Sequence, residues 1–287
     1  MAVLSCLAPA KVNLTLRVCG RRPDGLHVLD SLVAFADVGD RLTLEAAAET
    51  SLEVAPPDAV SGDNLVMRAL DALEKHVGRA LPARIGLEKV LPVAAGLGGG
   101  SSDAAACLRG LNALHALGLT NAELMEVGAP LGADVPVCVL AAPARLGEDV
   151  MPLGDFPECD VVLVNPRVPL ATRDVFKTWD GRETAPEAPP PFTDFAALCA
   201  HLEARGNDLT AAAVSHVPAI RECVAALTEA GASYAAMSGS GASCFGLVPS
   251  GSGAGLAADY RARRPDDWCE AGRLMRAADT EINQIDE

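Results

Sequence analysis

Hydrophobic and polar positions alternate early in the chain. Leu14, Leu16 and Val18 alternate with Asn13, Thr15 and Arg17, a period of two that predicts strand within residues 2–20. Arg22-Pro23-Asp24-Gly25 predicts a turn, because proline fixes φ and glycine admits positive φ. Alternation resumes over 31–45, predicting one or two further strands, and β character continues through Val54 to Pro56-Pro57. The period then lengthens. Leu65, Ala69, Ala72, Leu73 and Val77 predict a helix over 64–77, with Asp63 or Asn64 as its cap. A strand is expected over 83–91, ended by Pro92. Ala104, Cys107, Leu108, Leu111 and Leu114 then predict an amphipathic helix with Gly118 closing it. Thr120 or Asn121, with Glu123 behind it, opens another helix that runs to about Gly128. Gly132-Ala133-Asp134-Val135-Pro136 predicts a turn into a strand over 137–140.

The pattern restarts near residue 156. A short buried strand is expected over 160–165, an exposed proline-rich loop over 184–191, and helices over 194–205 and 217–230. Strands over 234–237 and 243–248 flank Ser238-Gly239-Ser240-Gly241. A loop over 249–255 leads into a last helix. No internal repeat is visible, and the expected division is into residues 1–155 and 156–287.

Half of the 287 residues are hydrophobic, enough to bury a sizeable core. The formal net charge is −15. So acidic a chain repels nucleic-acid backbones and anionic lipid, and neither is an expected partner. The first thirty residues are locally basic, with Lys11, Arg17, Arg21 and Arg22 against Asp24 and Asp30, so a small anionic ligand remains compatible. The nine cysteines show no CxxC or zinc-ligand spacing, and several lie in apolar runs. They read as reduced buried thiols of a cytoplasmic protein. No apolar run approaches the length needed to span a bilayer.

One stretch carries chemistry on its face. Gly96, Gly98, Gly99 and Gly100 fall within five positions, behind a strand and ahead of Ser101-Ser102 at the opening of a helix. Glycine lets backbone approach a phosphate without a Cβ clash, and the free N–H groups of a helix start favour an anion. The serine hydroxyls could add contacts to phosphate or Mg2+. The plain alternative is a tight turn with no ligand. The stretch is neither a Walker A loop nor a dinucleotide fingerprint, since GxxxxGK[ST] is absent and Ser101 stands where a third glycine belongs.

Pro92-Val93-Ala94-Ala95-Gly96-Leu97-Gly98-Gly99-Gly100-Ser101-Ser102, followed by Asp103-Ala104-Ala105, resembles the ATP-binding motif of the GHMP kinases. The triple glycine resembles in particular the branch that phosphorylates a cytidine-diphosphate-linked methylerythritol in the non-mevalonate isoprenoid pathway. Four further blocks agree in order: Ala8-Pro9-Ala10-Lys11-Val12-Asn13-Leu14, Arg21 to His27, Gly132 to Pro136, and Ser238 to Ala242. The resemblance implies an α+β GHMP kinase fold. Its N-terminal domain would resemble ribosomal protein S5 domain 2, its C-terminal domain would be ferredoxin-like, and the site would lie in the cleft between them. It implies ATP with Mg2+ as the phosphoryl donor and a small-molecule acceptor; monomer and homodimer stay open.

Within that resemblance, Asp134 is the expected proton acceptor and Lys11 the cation beside it. By themselves, an Asp in such a turn would be a cap and a lone Lys in a strand would snorkel outward. Asn13, His27, Phe176 and Ser238-Gly239-Ser240-Gly241 are expected substrate contacts. Leu26 stands where that branch has an aromatic residue, which removes one face of the expected cytosine sandwich. Asp208 also matches a position of the family, without an assigned role. Two other readings are kept: a GHMP kinase for homoserine or mevalonate, and a non-catalytic nucleotide sensor on the same fold.

Overall fold

The computed structural model describes residues 3–23, 25–57, 64–93, 95–279 and 282–285. The expectations placed on Asp24, Asp63 and Ala94 therefore lie outside the described residues.

The first sheet is built on two long strands, Val3–Asn13 (β1) and His27–Ala46 (β3), paired antiparallel. Arg17–Arg21 (β2) joins them and pairs with β3. Ser51–Ala55 (β4) lies parallel to Ala83–Glu88 (β5), which pairs with the far half of β3. The alternation over 31–45 is thus part of one strand of 20 residues. Leu65–Val77 (α1) is capped by Asn64, whose side chain accepts the Val66 N–H at 2.9 Å. Its buried face is Val66, Ala69, Leu70 and Leu73, slightly rotated from the predicted stripe. Gly99–Leu114 (α2) and Asn121–Gly128 (α3) follow, and Thr120 with Glu123 closes a capping box on α3.

The expected strand over 137–140 is instead the end of a short helix, Val135–Leu140 (α4). The run Val-Pro-Val-Cys-Val-Leu is β-rich in composition. It is almost wholly buried, though, so no polar position reveals its period. Pro136 sits in the first helical turn, where its missing N–H costs nothing. Ala144–Leu146 (β6) then pairs with β3 and Val150–Pro152 (β7) with β6.

The second sheet begins with Cys159–Asn165 (β8). Four helices come next: Thr172–Thr178 (α5), Phe195–Arg205 (α6), Thr210–His216 (α7) and Ala219–Glu229 (α8). Tyr234–Met237 (β9), Cys244–Pro249 (β10), Gly253–Arg263 (α9) and Trp268–Arg273 (β11) complete it. Its antiparallel order, β11-β8-β10-β9, with α8 and α9 as crossovers, is the ferredoxin-like arrangement. A last strand, Asn283–Ile285 (β12), returns to the first sheet beside β1. The sequence pattern predicted neither α5, α7 nor β12.

Strand alternation joins the two halves. On β3, Val33 and Phe35 face the helices of the first half, while Leu32, Ala34 and Ala36 face the other way. There they meet Val161, Leu163, Phe245 and Leu247 of the second sheet, together with Ala10 and Val12 of β1 and Leu14 just beyond it. The opposite face of β8, Val162 and Val164, packs on a third cluster under α7, α8 and α9. The middle of β1 is therefore buried on both sides. No helix among the described residues is long and apolar enough to cross a membrane.

Candidate active site

β1 places Lys11. The β1–β3 register slips between Pro9 and Ala10, and such a bulge re-aims the side chains beyond it. The Pro9 carbonyl is taken by the Ser102 hydroxyl at 2.8 Å. Ser102 is fully buried, so its hydroxyl fastens α2 to β1 and is turned away from any phosphate. Ser101, half-buried at the same helix end, is the serine that faces outward.

The glycine-rich loop lies across β1 and the second half of the chain. The Lys11 N–H donates to the Leu97 carbonyl at 2.9 Å, and the Ser243 N–H donates to Ala95 at 3.1 Å. The Asn13 N–H donates to the Ser238 hydroxyl, which in turn donates to the Gly96 carbonyl, at 3.1 and 3.2 Å. Two glycines are dictated by close approach and positive φ together. At Gly96 (φ +76°) a Cβ would lie 2.7 Å from the Gly241 carbonyl oxygen; at Gly98 (φ +65°) it would lie 3.0 Å from the Lys11 Cβ. Gly98 is also the N-cap of α2 and supplies no side-chain acceptor. The first-turn N–H groups of a 16-residue helix therefore stay available to an anion. Pro92 is half-buried and Val93 exposed at the loop's outer edge.

Asp134 caps the start of α4, spends no side-chain hydrogen bond on that helix, and is 39% exposed. The Lys11 ammonium lies 2.9 Å from its carboxylate, and also donates to Asn13 Oδ1 at 3.1 Å. The Asn13 amide donates onward to Ser31 Oγ at 2.7 Å, and Ser31 to the Thr15 carbonyl at 2.5 Å. Asn13 is thus oriented from both ends. Lys11 and Asp134, 123 positions apart in sequence, meet beside Gly98. An ammonium, a carboxylate with one open side and a phosphate-ready helix start form a set suited to phosphoryl transfer onto a hydroxyl.

The Ser238–Gly241 segment is the β9–β10 connection. Asn207 holds it by donating to the Met237 and Gly239 carbonyls at 3.1 and 2.8 Å, and Ser240 bonds to Thr172 at 2.8 Å. His27, at the start of β3, stacks on Phe176 of α5 with centroids 4.4 Å apart and planes 14° apart. Trp179 meets the edge of His27 at 5.6 Å. Burial first, then Arg21, lowers the His27 pKa below its ordinary value. Leu26 is 62% exposed. The two ring residues singled out by sequence are therefore in contact. Asp208 accepts the Val18 N–H at 2.9 Å and pairs with Arg17 at 3.1 Å, tying α7's approach to β2.

Three residues to which sequence reasoning gave no role stand directly under the loop. Lys89 bonds to both Asp40 and Asp103, the latter at 2.7 Å, and all three are buried. Asp40 also accepts the N–H groups of Val90 and Leu91 at 2.6 and 2.8 Å. The cluster thereby fixes the strand end before the glycines to the helix turn behind them. Burial raises the Asp103 pKa, the Lys89 ammonium lowers it and Asp40 raises it again, to about 7. Its Oδ1 is buried without a hydrogen-bond partner. Nothing in the segments around them marks a shared cluster, and only the topology brings these three together.

This arrangement of glycine loop, helix start and facing carboxylate–ammonium pair in a two-part α+β fold defines a small-molecule kinase. Residues 64–142 match the model of the GHMP kinases N terminal domain, and residues 192–265 that of the GHMP kinases C terminal domain. The chain belongs to the GHMP kinase family. Within it, the chain is 44% identical over 284 residues to 4-diphosphocytidyl-2-C-methyl-D-erythritol kinase of Ruegeria pomeroyi, covering 95% of this chain and 99% of that one. It is 45% identical to the protein of the same name from Mesorhizobium japonicum, covering 93% and 95% of the two chains. A crystal structure of 4-(cytidine 5'-diphospho)-2C-methyl-D-erythritol kinase superposes with TM-score 0.78 at 33% identity, over 94% of this chain and 98% of that chain. A homoserine kinase from Cytophaga hutchinsonii superposes with TM-score 0.71 at 16% identity, over 99% and 97%, a likeness of fold. The chain is an ATP-dependent small-molecule kinase.

Proposed function

We propose that this kinase transfers the ATP γ-phosphoryl group to the 2-hydroxyl of 4-diphosphocytidyl-2-C-methyl-D-erythritol, a step of the non-mevalonate isoprenoid pathway. The observation that carries the chemistry is the 2.9 Å contact of Lys11 with Asp134 beside Gly98. The near-full-length relatives carry the choice of acceptor. Residues 1–155 and 156–287 are taken as the two units that flank the cleft.

The α2 N-terminus and the loop amides hold the nucleotide phosphates, and Ser101 adds a hydroxyl. Asp134 takes the proton of the acceptor hydroxyl as its oxygen attacks the γ-phosphorus and the bond to ADP breaks. Lys11, held by Asn13, stabilises the charge on the phosphoryl oxygens. Among the described residues no group of three or more His, Cys, Asp or Glu could hold a metal ion. Mg2+ would come with the nucleotide and would neutralise its phosphates. His27 and Phe176 take the cytosine end. His27 precedes Ser31, the partner of Asn13, by four strand positions, or roughly 13 Å, a span suited to an elongated acceptor.

Asp134→Asn tests the reading. Turnover should fall by orders of magnitude while ATP binding, read by calorimetry, stays near that of the parent. Unchanged turnover removes Asp134 from its role. Assays with homoserine and mevalonate test the acceptor, since phosphorylation of either of them alone would reassign it. Retention of both Lys11 and Asp134 speaks against a sensor without catalysis.

A further inference from the structure

Arg109 is the one cation of α2 placed deep in the first half of the molecule, and it has no carboxylate in ion-pair contact among the described residues. A buried guanidinium without an acid needs another source of negative charge. Here the source is backbone. Nη1 donates to the carbonyls of Cys138 and Val139 at 2.7 and 3.3 Å, and Nη2 donates to the Leu7 carbonyl at 3.0 Å.

These carbonyls belong to the elements that carry the reacting pair. Cys138 and Val139 are in the last turn of α4, whose carbonyls have no partner within the helix. The Ala141 N–H takes the Val137 carbonyl, and Arg109 takes the next two. Charge-assisted bonds at the negative end of the dipole are the strong kind. They hold a helix of six residues that is too short to persist unaided. Asp134 stands at the other end of α4, about 6–8 Å away. Leu7 lies on β1, four positions before Lys11. Arg109 itself lies on α2, whose N-terminus closes the glycine loop.

We propose that Arg109 is a positioning residue: it braces α4 and β1 against α2 and so sets the separation of Asp134, Lys11 and the glycine loop. The inference rests on the assignment of Asp134 and Lys11 above. Its chemistry is indirect, because Arg109 is buried a helix length from the reacting groups. A displacement near 1 Å at a reacting group lowers turnover on the order of 10²-fold, whereas phosphate grip by loop amides should change little.

The test uses Arg109→Met, which keeps the stem and removes the donors, and Arg109→Lys, which keeps the charge but cannot reach both α4 and β1. For Arg109→Met the expected result is kcat lower by about 10- to 100-fold, with KM for both substrates within about threefold and partial recovery in Arg109→Lys. If Arg109→Met does not fold, Arg109→Lys carries the comparison, with kcat lowered at an unchanged thermal midpoint. A kcat within twofold of the parent, with only the thermal midpoint lowered, overturns the proposal. So does an effect confined to the KM for ATP. A double-mutant cycle separates this inference from the one beneath it. If Arg109 acts through Asp134, Arg109→Met should cost Asp134→Asn little further turnover, and full additivity overturns the brace. Should Asp134→Asn alone keep its activity, the assignment of the base fails, whatever Arg109 does.

Discussion

Replacing Gly98 by alanine should separate the cost of backbone strain from the cost of displacing Lys11. At φ +65° an alanine pays about 1–2 kcal/mol for the left-handed conformation. The new Cβ would also lie 3.0 Å from Lys11 Cβ and 3.2 Å from Lys11 Cε. Lys11 Cβ is fixed to β1 and cannot yield, so the loop must move; Cε can swing, but it takes the ammonium off Asp134 and Asn13. Gly118 is the matched control, with φ +70° and nothing within 4 Å of its Cβ position. Both alanine variants should lose about 1–2 kcal/mol in denaturant unfolding, a few degrees in thermal midpoint. Only Gly98→Ala should lose turnover, on the order of 10²-fold, with kcat falling more than nucleotide affinity in a coupled ADP-release assay and calorimetry. If the two variants match in kcat, the contact between loop and lysine has no part in the chemistry.

Two shorter tests follow from the buried groups around the loop. Ser102→Ala should cost about 1–2 kcal/mol of stability through the orphaned Pro9 carbonyl, with KM for ATP within about twofold; a tenfold rise in KM at unchanged stability would restore Ser102 to the phosphate site. Asp103 has its pKa raised in the folded protein, from 3.8 to about 7. Its contribution to stability is therefore complete below pH 3.8 and lost as pH rises through about 7. Asp103→Asn should therefore lose less stability than the parent as pH rises from 5 to 8, and urea curves with the same pH dependence for both proteins would contradict it.

Of the parts of the site that sequence exposed, the four glycines before a helix carry meaning as a local pattern. Asp134 in its turn and Lys11 in its strand would alone have read as a cap and a snorkelling side chain, and their expected roles came from the resemblance carried by the ordered blocks around them. The strand expected at 137–140 failed because near-complete burial erases periodicity, so composition was left to decide and decided wrongly. The roles of Asp40, Lys89, Asp103 and Arg109 were invisible for another reason. Asp103 was seen only as a member of the glycine motif and the others had no pattern around them; the role of each lies in partners 14 and 49 positions away or in backbone carbonyls. The return of β12 to β1 is likewise a fact of topology and not of pattern.

The shared core explains why so dispersed a site can be precise. Units joined by polar linkers move relative to one another unless a large apolar interface holds them. Here Ala10 and Val12 of β1, Leu14 just beyond it, and Leu32, Ala34 and Ala36 of β3 are packed directly on Val161, Leu163, Phe245 and Leu247 of the second sheet. Lys11 and Asn13 alternate with Ala10, Val12 and Leu14 along the chain. The same strand therefore buries one face in the seam and turns Lys11, with its contact to Asp134, the other way. The bonds from Ser238 and Ser243 to the glycine loop cross this seam, and any shear of one sheet over the other would break them together with the core. Lys11, Asn13 and the loop are thus fixed before substrate arrives, as the electrostatic role proposed for them requires. Freedom is left to Asp134, the exposed member of the pair, whose helix is held from behind by the Arg109 guanidinium.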